Sequence, residues 1–323
     1  MTAMLEVKEL TKYFDVSGDT LSRLLRGKQI LKAVDHVNFG IPEGKTVGLV
    51  GESGCGKSTT ARLITRLIPA TEGEVYFEGK QLLSLPKREN REIRRYIQMV
   101  FQDPYGSLNP RMSVLDIVGR PLTLYFGSKG KKRVDQAAEL LELVGMQPDH
   151  LSRYPHELSG GQRQRIGIAR ALATRPKVLI ADEPVSSLDV SVQAQVLNLF
   201  KRLQRELKLT MLFISHDLSV VEYLADTVAV MYAGKIVEVA PVEEIFQSPL
   251  HPYTQALIAS NITPLSALER APLRLRGEIA LPVNPPAGCR LEPRCPIRVL
   301  HCSSVEPPLE VKKPMHRAAC HEA

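Results

Sequence analysis

The stretch that decides the fold is TVGLVGESGCGKST, Thr46 to Thr59. It begins as a short apolar strand, Thr46–Gly51, and runs into a glycine-rich turn. GESGCGKST (Gly51–Thr59) fits the pattern G-x-x-x-x-G-K-[ST]. After Lys57, the residues Ala61, Ile64 and Ile68 recur at helical spacing. The pattern therefore lies between a strand and a helix, the setting in which it cradles phosphate groups. Gly51, Gly54 and Gly56 let the backbone wrap closely around an anion with its N–H groups inward. The following helix presents the positive end of its dipole to that anion. Lys57 is placed to reach the β and γ phosphates of a nucleotide, and the Ser58 hydroxyl to coordinate Mg²⁺. Ser53 and Thr59 belong to the same loop. Cys55 occupies a variable slot, where a small filler is expected.

Two further apolar runs read as buried strands: KVLIADEP (Lys177–Pro184) and TMLFISHD (Thr210–Asp217). Between them a helix is expected with Val192, Val196, Leu199, Leu203 and Leu207 along one face. Apolar strands alternating with helices imply an α/β fold with a parallel sheet covered on both faces. Asp182 ends the first of these strands, where a carboxylate can reach the hydration shell of Mg²⁺. Glu183 follows it and is placed to polarise an attacking water as a general base. Residues from about Gln102 to Ala173 lack strand runs and read as a helical insert. Residues 17–29 read as an expanded loop between two N-terminal strands.

LSGGQRQRIGIARAL (Leu158–Leu172) is a second glycine-rich helix start, with Ile166, Ala169 and Leu172 inward. A chain with one phosphate loop has use for it if that helix N-terminus meets the γ-phosphate bound by another subunit. With these motifs the sequence resembles the ABC-transporter ATPases, whose signature is LSGGQ. The resemblance implies a RecA-like P-loop core, a small antiparallel β subdomain, a helical subdomain at about 102–173 and a Pro/Cys-rich C-terminal extension. It also implies that two subunits sandwich two ATPs. Ser159, Gly160, Gly161 and Gln162 then serve the opposite site. Gln102, in QMVFQDP, matches the glutamine loop and contributes to the ATP and Mg²⁺ sites. Ser186–Asp189 matches the D-loop, with Ser187 where Ala is commoner. His216 matches the switch histidine, which contacts the γ-phosphate. An aromatic residue near the N-terminus stacks on adenine in this family; Phe14 fits best, with Tyr13 second.

FQDPYGSLNPRM (Phe101–Met112), ADEPVSSLDVSVQAQVLNL (Ala181–Leu199), HPYTQAL (His251–Leu257) and GEIALPVNPPAGCRLEPRCP (Gly277–Pro296) are similar to ATPase subunits of dipeptide and oligopeptide permeases. That resemblance implies a peripheral subunit on the cytoplasmic face of the membrane, powering peptide import. Its partners would be two permease subunits, a second ATPase (a paralogue or a second copy) and an extracytoplasmic solute-binding protein. Import of nickel or glycosides, or the work of a soluble ABC ATPase, remain open alternatives. A non-hydrolytic regulator is disfavoured by the full set Lys57, Asp182, Glu183 and His216.

Composition bounds these readings. The chain has 323 residues, 44% hydrophobic and 24% charged, as in ordinary globular proteins. The net charge of +7 is spread along the sequence, so a solvated basic surface is expected and no nucleic-acid partner. No run approaches the ~18 apolar residues of a membrane span. The N-terminus has no apolar h-region, so a cytosolic chain is expected.

After His251 the composition shifts: 11 of the 23 prolines and four of the five cysteines lie there. We divide the chain into an ATPase domain, 1–250, and an extension, 251–323. So much proline disfavours long helices and central strands. Cys289, Cys295, Cys302 and Cys320 are spaced C-x5-C-x6-C-x17-C. In a cytosolic chain they read as thiols or ligands rather than disulfides. The spacing lacks the C-x2-C knuckles of short zinc sites and suits a [4Fe–4S] cluster. The resembled permease subunits carry such a quartet, and some of them bind a cluster there. Structural zinc and free thiols stay open. His301, His316 and His321 are substitute ligands, expected to be solvated. The phosphate loop is expected to pack separately from this tail.

Overall fold

The computed structural model describes residues 3–18, 27–261, 273, 275–277 and 282–323. Most of the expected 17–29 loop, and much of the segment between Asn261 and Pro282, therefore lie outside the described residues. The chain forms two compact units, each built from several segments. One comprises Leu5–Ile41, Thr46–Leu83 and Ser215–Ala323; the other comprises Met1–Met4, Pro42–Lys45 and Ser84–Ile214.

The first unit contains a four-stranded sheet of β1 (Ala3–Asp15), β2 (Ile30–Pro42), β4 (Glu72–Phe77) and β5 (Lys80–Gln81), in the order β2-β1-β4-β5. Strand β4 runs antiparallel to both β1 and β5, with Leu5 opposite Phe77 and Val7 opposite Val75. These four side chains are all buried.

The same unit holds the run β11 (Glu310–Lys313), β12 (His316–Ala318), β10 (Lys235–Pro241), β9 (Thr227–Tyr232) and β3 (Thr46–Val50), in that order. Strand β3 (Thr46–Val50) is buried at every position and pairs in parallel with β9 (Thr227–Tyr232). A continuous apolar strand of this kind is what a sheet covered on both faces requires. The helix after the phosphate loop spans Lys57–Ile64. It is shorter than the Ala61, Ile64, Ile68 spacing suggests, because Arg66 turns the chain at φ +55°, and Ile68 lies beyond its end.

The tail corrects the expectation drawn from its prolines. It supplies two short strands, β11 (Glu310–Lys313) and β12 (His316–Ala318), which pair antiparallel with each other, and β12 pairs with β10 (Lys235–Pro241). Pro314 falls in the turn between them, where it costs no ladder hydrogen bond. Leu291 and Cys295 belong to one buried cluster with Val50, Val230, Tyr232 and Tyr253. His316 is also unlike its expectation. It is fully buried, with Nε2 2.6 Å from Glu238 Oε1, so it is not solvated, and it is not among the residues lining the cavity of the four cysteines. The Glu238 carboxylate further accepts from the backbone N–H groups of Leu250 (2.7 Å) and His251 (3.0 Å).

In the other unit β6 (Ile97–Val100), β7 (Val178–Asp182) and β8 (Thr210–Ser215) form parallel ladders in the order β8-β7-β6. Three longer helices occupy the stretch between β6 and β7: Val114–Phe126, Gly130–Leu143 and Gly160–Leu172. The helix Val190–Leu207 buries Val196, Leu197, Leu199, Phe200 and Leu203. Phe200 meets Phe213 of β8 edge-on, with ring centroids 5.6 Å apart. Leu207 is 44% exposed. It sits at the helix end, where Lys208 turns left-handed, and Leu209 takes the buried place instead.

Candidate active site

In the first unit, β3 delivers the chain into the phosphate loop. Gly51 has φ +153° and Gly56 φ +113°. A Cβ would lie 2.1 Å from the Met231 carbonyl oxygen at Gly51, and 2.2 Å from that of Ala33 at Gly56. The backbone packs too tightly here for any side chain, which is why glycine stands at both positions. Lys57 is 3% exposed. Its Nζ donates to the carbonyls of Gly51 (2.7 Å) and Glu52 (3.0 Å), so the loop itself holds the ammonium. Ser53 and Gly54 are exposed; Ser58 and Thr59 are half-buried in the first helical turn. The Cys55 thiol is buried, and burial pushes its pKa up, so it is a packing group and not a nucleophile. Its carbonyl accepts from Gly234 N at 2.8 Å.

Tyr13 and Phe14 differ in what they have free. The Tyr13 hydroxyl is hydrogen-bonded to Asp35, and Asp35 is also gripped by Arg290. Burial, then that bond, holds the phenol well above its ordinary pKa. The Phe14 ring is 36% exposed, with the Lys12 ammonium 5.1 Å from its centre. His216 is exposed beside Asp217, which caps the helix Leu218–Leu224 by accepting from Ser219 N at 2.9 Å.

In the other unit, Asp182 ends β7 and is 2% exposed. Glu183 follows at φ +43°, and its N–H donates to the Ile214 carbonyl of β8 at 3.0 Å. A glutamate held at positive φ is a strained conformation of the sort found at functional positions. Its carboxylate accepts from Gln102 Nε2 at 3.0 Å, so the structure brings together two residues that lie far apart in sequence. Ser186 N and Oγ both donate to the Glu183 carbonyl. Ser159 caps the helix Gly160–Leu172: its hydroxyl accepts from Gln162 N (3.3 Å) and its N–H donates to Gln162 Oε1 (3.0 Å). This reciprocal cap fixes an exposed helix start. Gly161 is buried so closely against Val192 that a Cβ would lie 2.4 Å from Val192 Cγ1.

The four tail cysteines, which span 32 residues of sequence, line one small cavity, together with His251, Glu292 and His321. None forms a disulfide. Burial first, and then the nearby thiols Cys302, Cys320 and Cys295, push Cys289 up to about 11. A cation among buried thiols raised in this way would favour their thiolate forms. The four cysteines together offer the Cys₄ donor set common in iron–sulfur clusters. Among the described residues, no group of three or more His, Cys, Asp or Glu is arranged to grip a single metal ion. For Mg²⁺, the hard oxygen donors of Ser58, Gln102 and Asp182 are of the right type.

The sequence reading missed Glu52, Tyr232, Tyr253 and Arg294. Glu52 N donates to Tyr253 Oη at 2.8 Å, and Arg294 pairs with both carboxylate oxygens of Glu52, at 2.9 and 3.3 Å. The expected independence of loop and tail is therefore wrong, because these side chains tie one to the other. Tyr253 and Arg294 stand inside quoted stretches, HPYTQAL and LEPRCP, but no spacing rule relates positions more than 200 residues apart.

Comparison with known proteins finds relatives along nearly the whole chain. The ABC transporter family matches residues 34–186, and the oligopeptide/dipeptide transporter C-terminal region matches 237–302. A probable peptide ABC transporter ATP-binding protein of Sinorhizobium fredii is 50% identical over 320 residues, covering 99% of this chain and 90% of the relative. An oligopeptide transport ATP-binding protein of Salmonella typhimurium is 48% identical, covering 95% of this chain and 92% of the relative. A solved dimeric ATP-binding cassette in a post-hydrolysis state, bound to ADP and Pi, is 32% identical with a TM-score of 0.65. That match covers 74% of this chain and 99% of the other.

Proposed function

Since the chain belongs to the ATP-binding subunits of ABC transporters and is an ATPase, we propose that it powers import of dipeptides and oligopeptides. The observation that carries this is the match of both cassette and tail to peptide-transport relatives along nearly the whole chain. No helix among the described residues is long and apolar enough to cross a membrane. The reading therefore includes two separate permease subunits, a solute-binding protein outside, and a place for this chain on the cytoplasmic face. The second ATPase is a paralogue in this reading.

The proposed chemistry follows from the residues. Lys57 and the loop amides bind the β and γ phosphates. Phe14 stacks on adenine, since the Tyr13 hydroxyl is committed to Asp35. Ser58, Gln102 and Asp182 would hold Mg²⁺, which supplies charge neutralisation on the phosphate oxygens. Glu183 orients the attacking water and takes its proton, with Gln102 holding the carboxylate in place. His216 steadies the γ-phosphate. Ser159, Gly160, Gly161 and Gln162 offer a capped helix start to the nucleotide of the opposing subunit. Cys289, Cys295, Cys302 and Cys320 would hold a [4Fe–4S] cluster, which supplies cross-links within a segment poor in apolar runs.

The test is uptake and ATPase activity of the complex purified from native membranes. Peptide-loaded binding protein should stimulate hydrolysis, and peptides should compete for uptake where nickel and glycosides do not. Recovery of this chain without permease subunits, or stimulation by nickel or a glycoside instead, would overturn the reading.

A further inference from the structure

Glu52, the second residue of the phosphate loop, has every polar group engaged. Its N–H donates to Tyr253 Oη, its carbonyl accepts from Lys57 Nζ, and its carboxylate takes both Nη atoms of Arg294. Arg294 Nη1 lies 3.4 Å from Tyr232 Oη, and the Tyr232 and Tyr253 rings pack with centroids 4.6 Å apart. Arg294 is itself 9% exposed, on a short turn whose neighbours Leu291 and Cys295 are in the same core cluster as the two tyrosines. Its carbonyl accepts from Arg276 N at 2.9 Å. The guanidinium is therefore anchored from the core and reaches up to the loop.

A loop that receives a triphosphate has a difficulty if its second residue is a carboxylate. An unpaired negative charge there repels the ligand, and a partly buried carboxylate without a partner is costly in itself. A two-pronged guanidinium answers both problems, because it cancels the charge and fixes its direction. It also holds the Glu52 carbonyl where that group positions Lys57. We propose that Arg294 is a positioning residue for ATP binding: by gripping Glu52 it sets the shape and charge of the phosphate loop in its own chain. The proposal rests on the reading of Gly51–Thr59 as the nucleotide-phosphate site.

The test is titration of the purified full-length chain with MgATP and a fluorescent ATP analogue, with steady-state ATPase kinetics beside it. Arg294→Ala should weaken ATP binding by roughly tenfold, the scale of a lost charge-assisted pair, and raise KM with kcat changed by less than about twofold. Arg294→Lys, which keeps the charge and loses the fork, should fall between. The double variant Glu52→Gln/Arg294→Ala should bind ATP better than Arg294→Ala alone, because the repelling carboxylate has gone. A merely structural arginine would leave the double variant as weak as the single one, and that outcome overturns the proposal. Wild-type affinity in Arg294→Ala does so too. If Arg294→Ala does not fold, Arg294→Lys decides by the same measurements, and its double with Glu52→Gln gives the same contrast. Lys57→Ala separates the two readings. If it binds ATP normally, the phosphate-loop assignment has failed. If it does not bind while both Arg294 variants do so normally, only the present proposal has failed.

Discussion

The phosphate loop and the cysteine tail are built in opposite ways. Most of the loop's own bonds are local: Lys57 is held by carbonyls five and six positions back, and Thr60 Oγ1 bonds to the Gly56 carbonyl four back, while Glu52 reaches out to Tyr253 and Arg294 of the tail. The tail is completed by distant segments. His316 is fixed by Glu238, 78 residues earlier, and Arg294 by Glu52, 242 residues earlier. One region carries its geometry in a local pattern of glycines. The other acquires it only by docking onto strands and helices that precede it in sequence. Such non-local contacts are made only when the whole unit folds, so the tail should fail as the unit fails, while the loop should fail by single local changes.

The largest effect on this contrast is expected at Glu238. Its carboxylate is buried and serves His316 and two backbone N–H groups at once. Glu238→Ala should cost about 3–5 kcal/mol, because it leaves the His316 ring and the N–H groups of Leu250 and His251 without their acceptor, read as a lower denaturant midpoint with an unchanged m-value. A loss under about 1 kcal/mol would show that the tail is held elsewhere.

Next is Glu183→Gln, which leaves both regions folded. It should keep ATP binding and lower turnover by about 10²-fold or more, the value of general-base help. It should also accumulate an ATP-bound dimer on size exclusion. Near-normal turnover in the assembled transporter would remove Glu183 from the chemistry.

Cys295→Ser then probes the seam between the regions. Wild-type protein prepared without oxygen should be brown and hold about four irons per chain. The variant should lose the colour and, because Arg294 is the preceding residue, bind ATP a few-fold more weakly, a smaller loss than for Arg294→Ala. Iron lost with unchanged ATP affinity would mean that the clamp stands without the thiols. Stoichiometric zinc and no iron would replace the cluster with a zinc site.

The smallest effect belongs to Leu207→Ala. The residue is 44% exposed past the last buried turn of its helix. The change should cost less than about 0.5 kcal/mol, against about 3–5 kcal/mol for Phe200→Ala, read from the same denaturation curves.

These residues also show what could be read without a structure. Asp182 and Glu183 were legible because they close an apolar strand, and Lys57 because it opens the helix after a strand and a glycine-rich turn, all of which are written in local sequence. The reciprocal cap of Ser159 and Gln162 was equally local, since a helix start needs only residues three apart. Leu207 was misread because the period runs to the last residue of the helix, where left-handed Lys208 turns the chain and Leu209 is buried instead. His316 was misread because a histidine near a C-terminus shows no sign of the glutamate that will bury it.

The sequence by itself determined the α/β class, the glycine-rich loop, the strand-end position of Asp182 and Glu183, and the family. Each rests on short windows whose backbone and chemical demands are met by neighbouring residues. Only the tertiary structure decided that Glu183 is held by Gln102, that four scattered cysteines share a cavity, and that Arg294 closes on Glu52. Those pairings depend on which strands and turns come to lie side by side, and a carboxylate carries no local mark of the distant cation that will neutralise it.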